Sequence, residues 1–469
     1  MLSLNLSYVV FILIFKIWHS FVIARYFLIG ATMKKTFTLL FSMAFAVCCS
    51  FSQNYPTAQQ TVPDTMGWMK GFPPSKEKTL HASDGSFFEF PALRYSVNHM
   101  REFFPTRNVS SGSGKKYQLK TKLDPAIGNV TFTPWNSDKT MTFEESLGAN
   151  YTDGIIVMHK GKIVYEKYPA GLKPDGLHAA MSVSKSFTGT VASILVADGK
   201  LDPTKKVAEY IPELKDSGFA DATVQQIMDM TTAIKYSEDY NDPNAEIWAY
   251  SAAGNVFRPA DYKGPQNYYE YLATVKKLAD EEHGDAFGYR TVNTELLAWI
   301  CSRVTGQGLA DMVSEMIWKP LGAHYDGYYQ VDPSGIAFAG GGFDLNLRDM
   351  AAFGEMMRNG GRLNGRQVIP EIAVKDISVG GTSDEYKTTF AKGDYPKLQG
   401  WSYHNMWWIT NNSHGAYMAR GVHGQAIYID PAAQMVIARF ASTYYASNKY
   451  IDPLSIPAYE AVAEYLLNK

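Results

Sequence analysis

The chain has 469 residues, 46% of them hydrophobic, 14% aromatic and 19% charged. That composition excludes a largely disordered polypeptide and supplies apolar mass for one or two sizeable cores. Lys and Arg number 44 against 46 Asp and Glu, and a formal charge of −2 leaves no basic footprint for nucleic acid. Three cysteines support neither a disulfide framework nor a four-cysteine zinc site.

The N-terminus reads as an address. Within residues 1–31 an apolar stretch from Tyr8 to Phe15 is followed by the interruptions Lys16, His19 and Arg25. Met33-Lys34-Lys35 then precedes an apolar run from Thr36 to Val47, the layout of a secretory signal, with Ser50 and Ser52 permitting cleavage before Gln53. Residues 1–32 read as an over-long start and 33–52 as the signal, so the expectation is an exported, periplasmic protein. Cys48 and Cys49 leave membrane or lipid anchoring as the alternative. Of the cysteines, only Cys301 would survive cleavage; it lies in a helical apolar pattern with Leu296, Leu297, Ile300 and Val304, where core packing is expected.

Residues 53–80 are a polar, Pro-containing lead-in, and 81–150 read as a loosely organised extension around the Gly/Ser loop at 110–114. Gly154–His159 and Lys162–Tyr168 flank Lys160-Gly161 and predict a hairpin. From Ser182 the period changes: Phe187, Val191, Ile194 and Leu195 predict a mostly buried helix that stops at Asp198-Gly199. Residues 224–233, 268–280 and 292–305 also read as helical. Gly340-Gly341-Gly342 turns into a helix over 347–359, with Asn346 and Asp349 as its capping pair. Strands at 426–429 and 435–441 and a helix over 456–467 close the chain. Strands at both ends with helices between predict an α/β fold of α+β type. An antiparallel sheet from 151–170 and 400–445 would be flanked by helices, beside a mainly helical lobe at about 200–340, all within a 151–469 domain.

Ser-x-x-Lys occurs three times, at Ser75/Lys78, Ser113/Lys116 and Ser182/Lys185. Only the last opens an apolar helix, directly after a hairpin. There the lysine stands one turn above the serine on the same face, and burial would make its amine a base near neutral pH. The amides at the helix start could stabilise a developing oxyanion.

Ser182-Val-Ser-Lys185-Ser-Phe-Thr-Gly189 resembles the active-site helix of the penicillin-recognising serine hydrolases, the class C β-lactamase-like or transpeptidase-like family. The 6-aminohexanoate-dimer (nylon oligomer) hydrolase branch matches best. Further ordered resemblances are Phe90–Ser96, Glu238-Asp239-Tyr240-Asn-Asp-Pro243, Phe287-Gly-Tyr289-Arg-Thr-Val-Asn293, and Gly421-Val422-His423-Gly424-Gln425. The resemblance implies Ser182 as the acylated nucleophile, Lys185 as its base and Tyr289 as proton relay. It also implies the backbone amides of Ser182 and Val422 as the oxyanion hole. Tyr240, Ser251, Gly340 and His423 would face substrate, with no cofactor and no metal. Three departures stand out, one being Tyr289-Arg290-Thr291 in place of Tyr-x-Asn, with Asn293 two places late. Ala419-Arg420-Gly421 replaces the usual Lys-Thr-Gly, which weakens a β-lactamase assignment. Ser251 occupies the place of the acidic group that recognises a substrate amine.

The expected activity is hydrolysis of a small carboxylic ester through an acyl-enzyme, with amides, 6-aminohexanoate oligomers or β-lactams as alternatives. A catalytically silent sensor module is the reading from another class. The aromatics Trp401, Tyr403, Trp407 and Trp408 fit either an acyl pocket or sheet packing. No Gly-x-Ser-x-Gly elbow and no His-Glu-x-x-His motif favours a Ser-His-Asp or metal hydrolase.

Overall fold

The computed structural model describes residues 55–239, 242–379 and 398–469. Two short strands come first, β1 (Thr106–Val109) and β2 (Lys120–Thr121). The predicted hairpin follows as β3 (Thr152–His159) and β4 (Lys162–Lys167). Lys160 and Gly161 both take positive φ, 50° and 75°, the geometry of a two-residue turn matched to strand twist. All of β3 is buried, as befits an interior strand covered on both faces.

β5 (Leu177–Ala179) leads into α1 (Val183–Ala197), in which every residue from Val183 to Leu195 is buried. The helix therefore crosses the molecular interior and has no solvent face. The middle lobe contributes α2 (Val224–Met228), α3 (Glu246–Gly254), α4 (Tyr268–Thr274) and α5 (Val292–Thr305). α2 and α4 are shorter than the periodicity predicts. Met230 turns to φ 54°, and Val275 goes extended to accept a hydrogen bond from the Gly218 amide.

β6 (Gly327–Gln330) and β7 (Phe343–Asn346) precede α6 (Leu347–Arg358) and α7 (Glu371–Val379). Asn346 caps α6 by accepting from the Arg348 amide at 2.9 Å, while Asp349 accepts from the amides of His324 and Tyr325. The predicted cap residue is correct, but Asp349 serves the preceding loop. The chain ends with β8 (Ser402–His404), β9 (Trp407–Ile409), β10 (Tyr417–Gly421), β11 (Gln425–Asp430), β12 (Met435–Ala441) and α8 (Asp452–Leu467).

The main sheet runs β8-β9-β10-β11-β12-β3-β4-β2, antiparallel except for the β2–β4 pair. Both halves of the chain thus build it, as expected. Gly354 of α6 lies against Ile427 and Val436 on one face, and Tyr459 of α8 rings Tyr428 and Arg439 on the other. A second sheet, β1-β6-β7-β5, joins the N-terminal portion to the strand before α1. Its strands are three or four residues long and show no alternation that sequence reading could catch.

The unit from Thr57 to Lys469 incorporates the N-terminal extension more firmly than its loop signals suggest. Arg94, fully buried, reaches Asp153 at 3.1 Å, Ser442 Oγ at 3.1 Å and Thr61 Oγ1 at 2.8 Å, and Asp153 also receives His178 Nε2 at 3.2 Å. Among the described residues no helix is long and apolar enough to cross a membrane. The proposed signal and anchor segments, residues 1–52, lie outside those residues.

Candidate active site

Ser182 is the N-cap of α1, with φ −67° and ψ −4°, and its hydroxyl makes no capping hydrogen bond. One turn on, the Lys185 amine donates to Ser182 Oγ at 2.9 Å and to the Gly340 carbonyl at 2.6 Å. Lys185 is 1% exposed, and that burial pushes its ammonium down to about 8, against the opposing pull of Glu238 and Glu295. Helix α1 is held from the side by Ser186 Oγ donating to the Met406 carbonyl at 2.8 Å.

Tyr289 sits just ahead of α5, its ring centroid 5.2 Å from Lys185 Nζ. It stacks on Trp408 at 5.4 Å and meets Tyr403 edge-on at 6.0 Å. The aromatic cluster is therefore packing: Trp401, Tyr403, Trp407 and Trp408 are all buried, and two of them brace the Tyr289 ring.

Val422 directly follows β10. A Cβ on the preceding Gly421 would stand 2.7 Å from the Ala180 carbonyl, so the end of this strand lies against the chain two residues before Ser182. His423 turns the corner with φ 62°; its Nδ1–H donates to the Thr443 carbonyl at 2.8 Å and its ring meets Phe88 edge-on. Burial holds its imidazole down to about 4, so it is neutral. Arg420, one residue before Gly421, points to the α8 face of the sheet, where it bonds Asp452 and lies 4.5 Å over Trp408.

Ser251 is exposed on α3, Tyr240 lies outside the described residues, and Gly340 is buried with its carbonyl on Lys185. A Cβ at Gly340 would come 2.3 Å from Thr291 Cγ2, so only glycine fits there. Sequence reasoning noted the segment that opens at Glu238 without giving that residue a role, and missed Glu295. The Glu238 carboxylate accepts from the Thr291 amide, and burial raises it. Glu295 is 1% exposed and is pushed up to about 7 by burial, with Tyr250 and the amides of Gly340 and Ala339 opposing. Its one sequence signal was an acid inside the apolar run Leu296, Leu297, Ile300. Among the described residues no cluster of His, Cys, Asp and Glu could hold a metal ion.

A buried amine on a helix-start serine, with a tyrosine ring beside it under an antiparallel sheet, defines a serine hydrolase of the β-lactamase and penicillin-binding-protein fold. The family model described as Beta-lactamase matches residues 143–456, and the chain belongs to that family. A 6-aminohexanoate-dimer hydrolase of Paenarthrobacter ureafaciens is 34% identical over 364 residues, 76% of this chain and 87% of that one. The solved structure of a candidate 6-aminohexanoate-dimer hydrolase from Bacillus anthracis superposes with TM-score 0.73 at 33% identity, covering 83% of this chain and 99% of the other. A family VIII carboxylesterase shares the fold at TM-score 0.51 and 16% identity, over 74% of this chain and all of its own.

Proposed function

We propose that the protein hydrolyses small carboxylic esters through an acyl-enzyme on Ser182. The observation that carries this reading is the Lys185 amine, buried, with its ammonium near 8, and 2.9 Å from Ser182 Oγ. As the serine oxygen bonds to the ester carbonyl carbon, Lys185 takes the hydroxyl proton. Tyr289 passes a proton to the departing alkoxide, so the alcohol leaves neutral. Water then attacks the acyl-serine, giving up its proton to the same pair, and the carboxylic acid leaves with Ser182 restored. The amides of Ser182 and Val422 are the donors for the oxyanion in both steps. Tyr240, Ser251 and His423 remain the proposed substrate neighbours. Gly340 acts through its carbonyl.

Hydrolysis of small linear amides is the second reading. It is favoured by the identity to the 6-aminohexanoate-dimer hydrolase, and disfavoured by Ser251 at the place where an acidic group would meet a substrate amine. β-Lactams are the weakest substrates in this scheme, because Arg420 is engaged with Asp452. Export remains part of the reading, resting on the layout of residues 33–52.

Purified protein is to be mixed with p-nitrophenyl acetate, p-nitrophenyl butyrate, nitrocefin and 6-aminohexanoate dimer, with Ser182→Ala alongside and intact-mass detection of adducts. Ester turnover lost by at least about a thousandfold in Ser182→Ala is expected, with the acyl mass on the wild-type protein only. Absence of both turnover and any adduct on Ser182 would leave the silent sensor module as the better account.

A further inference from the structure

The carbonyl that holds Lys185 is itself held. Gly340 and Ala339 donate their backbone amides to the two oxygens of Glu295, at 2.8 Å and 3.1 Å, and the Tyr250 hydroxyl donates to Oε1 at 2.8 Å. A carboxylate gripping two successive amides fixes the peptide plane between them. The Gly340 carbonyl, on the far side of that residue, is thereby aimed at Lys185 Nζ, 2.6 Å away. A side chain at Gly340 would collide with Thr291 Cγ2, so the turn that carries this carbonyl requires glycine.

A neutral amine has two N–H donors and one lone pair. When the Gly340 carbonyl takes one N–H, rotation about the Cε–Nζ bond is restricted and the lone pair turns toward the Ser182 hydroxyl. The same carboxylate also bears on the amine through charge. The ionisable groups facing Glu295 are Lys185 on α1, Tyr250 on α3, Tyr268 and Tyr269 on α4, and Tyr329 on β6; Glu238 acts on Lys185 from its own loop. Lys185 is the cation among them, so the ionisation of Glu295 falls chiefly on the base.

We propose that Glu295 is the positioning residue of the Lys185 base: through the Ala339–Gly340 backbone it fixes where the amine's lone pair points, and its charge helps set the pH at which that lone pair is free. The inference rests on Ser182 and Lys185 acting as nucleophile and base.

The test measures kcat and KM for p-nitrophenyl butyrate from pH 5 to 10 on the full chain, for wild type, Glu295→Gln, Glu295→Asp and Tyr250→Phe, with thermal midpoints for each. Glu295→Gln keeps the shape, removes the charge and puts a donor where an amide needs an acceptor. Its kcat is expected to fall about tenfold or more with KM within about twofold. Its acid limb is expected to move down by about one pH unit, because loss of a nearby negative charge favours the neutral amine. Glu295→Asp keeps the charge and so keeps the limb close to wild type. Tyr250→Phe deletes one hydroxyl and is expected to shift the limb in the same direction as Glu295→Gln by a smaller amount; it carries the test if Glu295→Gln does not fold. Folded variants with wild-type kcat and limb overturn the proposal. So does a loss of kcat with the limb unmoved, which would make Glu295 a purely structural residue. A wild-type protein that never acylates at Ser182 is a separate result, and it removes the nucleophile reading on which the proposal stands.

Discussion

At the scale of single residues, the site depends on a lysine kept where its charge is disfavoured. The folded-state value of Lys185, about 8, lies below the ordinary 10.5, so the unfolded chain binds the extra proton between those limits. Stability lost to this residue is therefore greatest below about pH 8 and fades as the pH rises toward 10.5. Lys185→Met should abolish ester turnover, and near pH 7 it should stabilise the fold by about 1–3 kcal/mol. Thermal melts at pH 7 and at pH 10 check this: the gain belongs to the first and should be nearly gone from the second. The wild-type kcat/KM should be high above about pH 8 and fall as the pH drops below it, since the protonated amine cannot accept the serine proton.

Among elements, α1 was the most legible, because an apolar period interrupted only by Ser-x-x-Lys allows few other readings. The β3–β4 hairpin was legible for a similar reason, its two turn residues standing between β-branched runs. Gly340 was given a substrate-facing place by the family resemblance, and its carbonyl contact with Lys185 was not legible because a glycine in sequence carries no sign of where its carbonyl points. Glu295 went unread because its partners are backbone amides 44 and 45 positions away. His404 belongs to the same class of hidden partnership. It ends β8 with Nδ1 2.9 Å from Asp229, just past α2, and Nε2 3.6 Å from Asp376 on α7. Burial acts to lower its imidazolium, but the two carboxylates prevail and lift it to about 9. The raised value means that its stabilisation is complete below about pH 6.5 and disappears as the pH climbs through 9. His404→Gln should cost about 1–3 kcal/mol at pH 6 and little at pH 10, as read from urea unfolding at the two pH values.

For the molecule as a whole, the N-terminal extension is bound in through Arg94. Replacing Arg94 by Met would leave Asp153 in the interior with His178 as its neighbour at 3.2 Å, and a buried carboxylate stripped of its cation is costly. Arg94→Met should destabilise the protein by about 3 kcal/mol, with a lower urea midpoint and an unchanged slope. The polar, loop-rich composition of residues 53–150 hid this, since one buried arginine decides the matter and its partners lie at positions 61, 153 and 442.

The pairing of β3 with β12 also fixes when an enzyme can exist during synthesis. Ser182, Lys185 and Tyr289 leave the ribosome while the edge of β3 still awaits residues 435–441, and Val422 arrives only shortly before them. Until then the nascent chain carries its reactive groups on half a sheet, with an apolar strand edge open to other chains. The long sequence separation of that pairing predicts slow closure. A polypeptide cut short before residue 435 therefore has every side chain of the proposed mechanism and a sheet in two unjoined parts. The proposed hydrolysis is therefore expected to appear only with chains that include the last strand, as activity assays on C-terminally truncated protein would show.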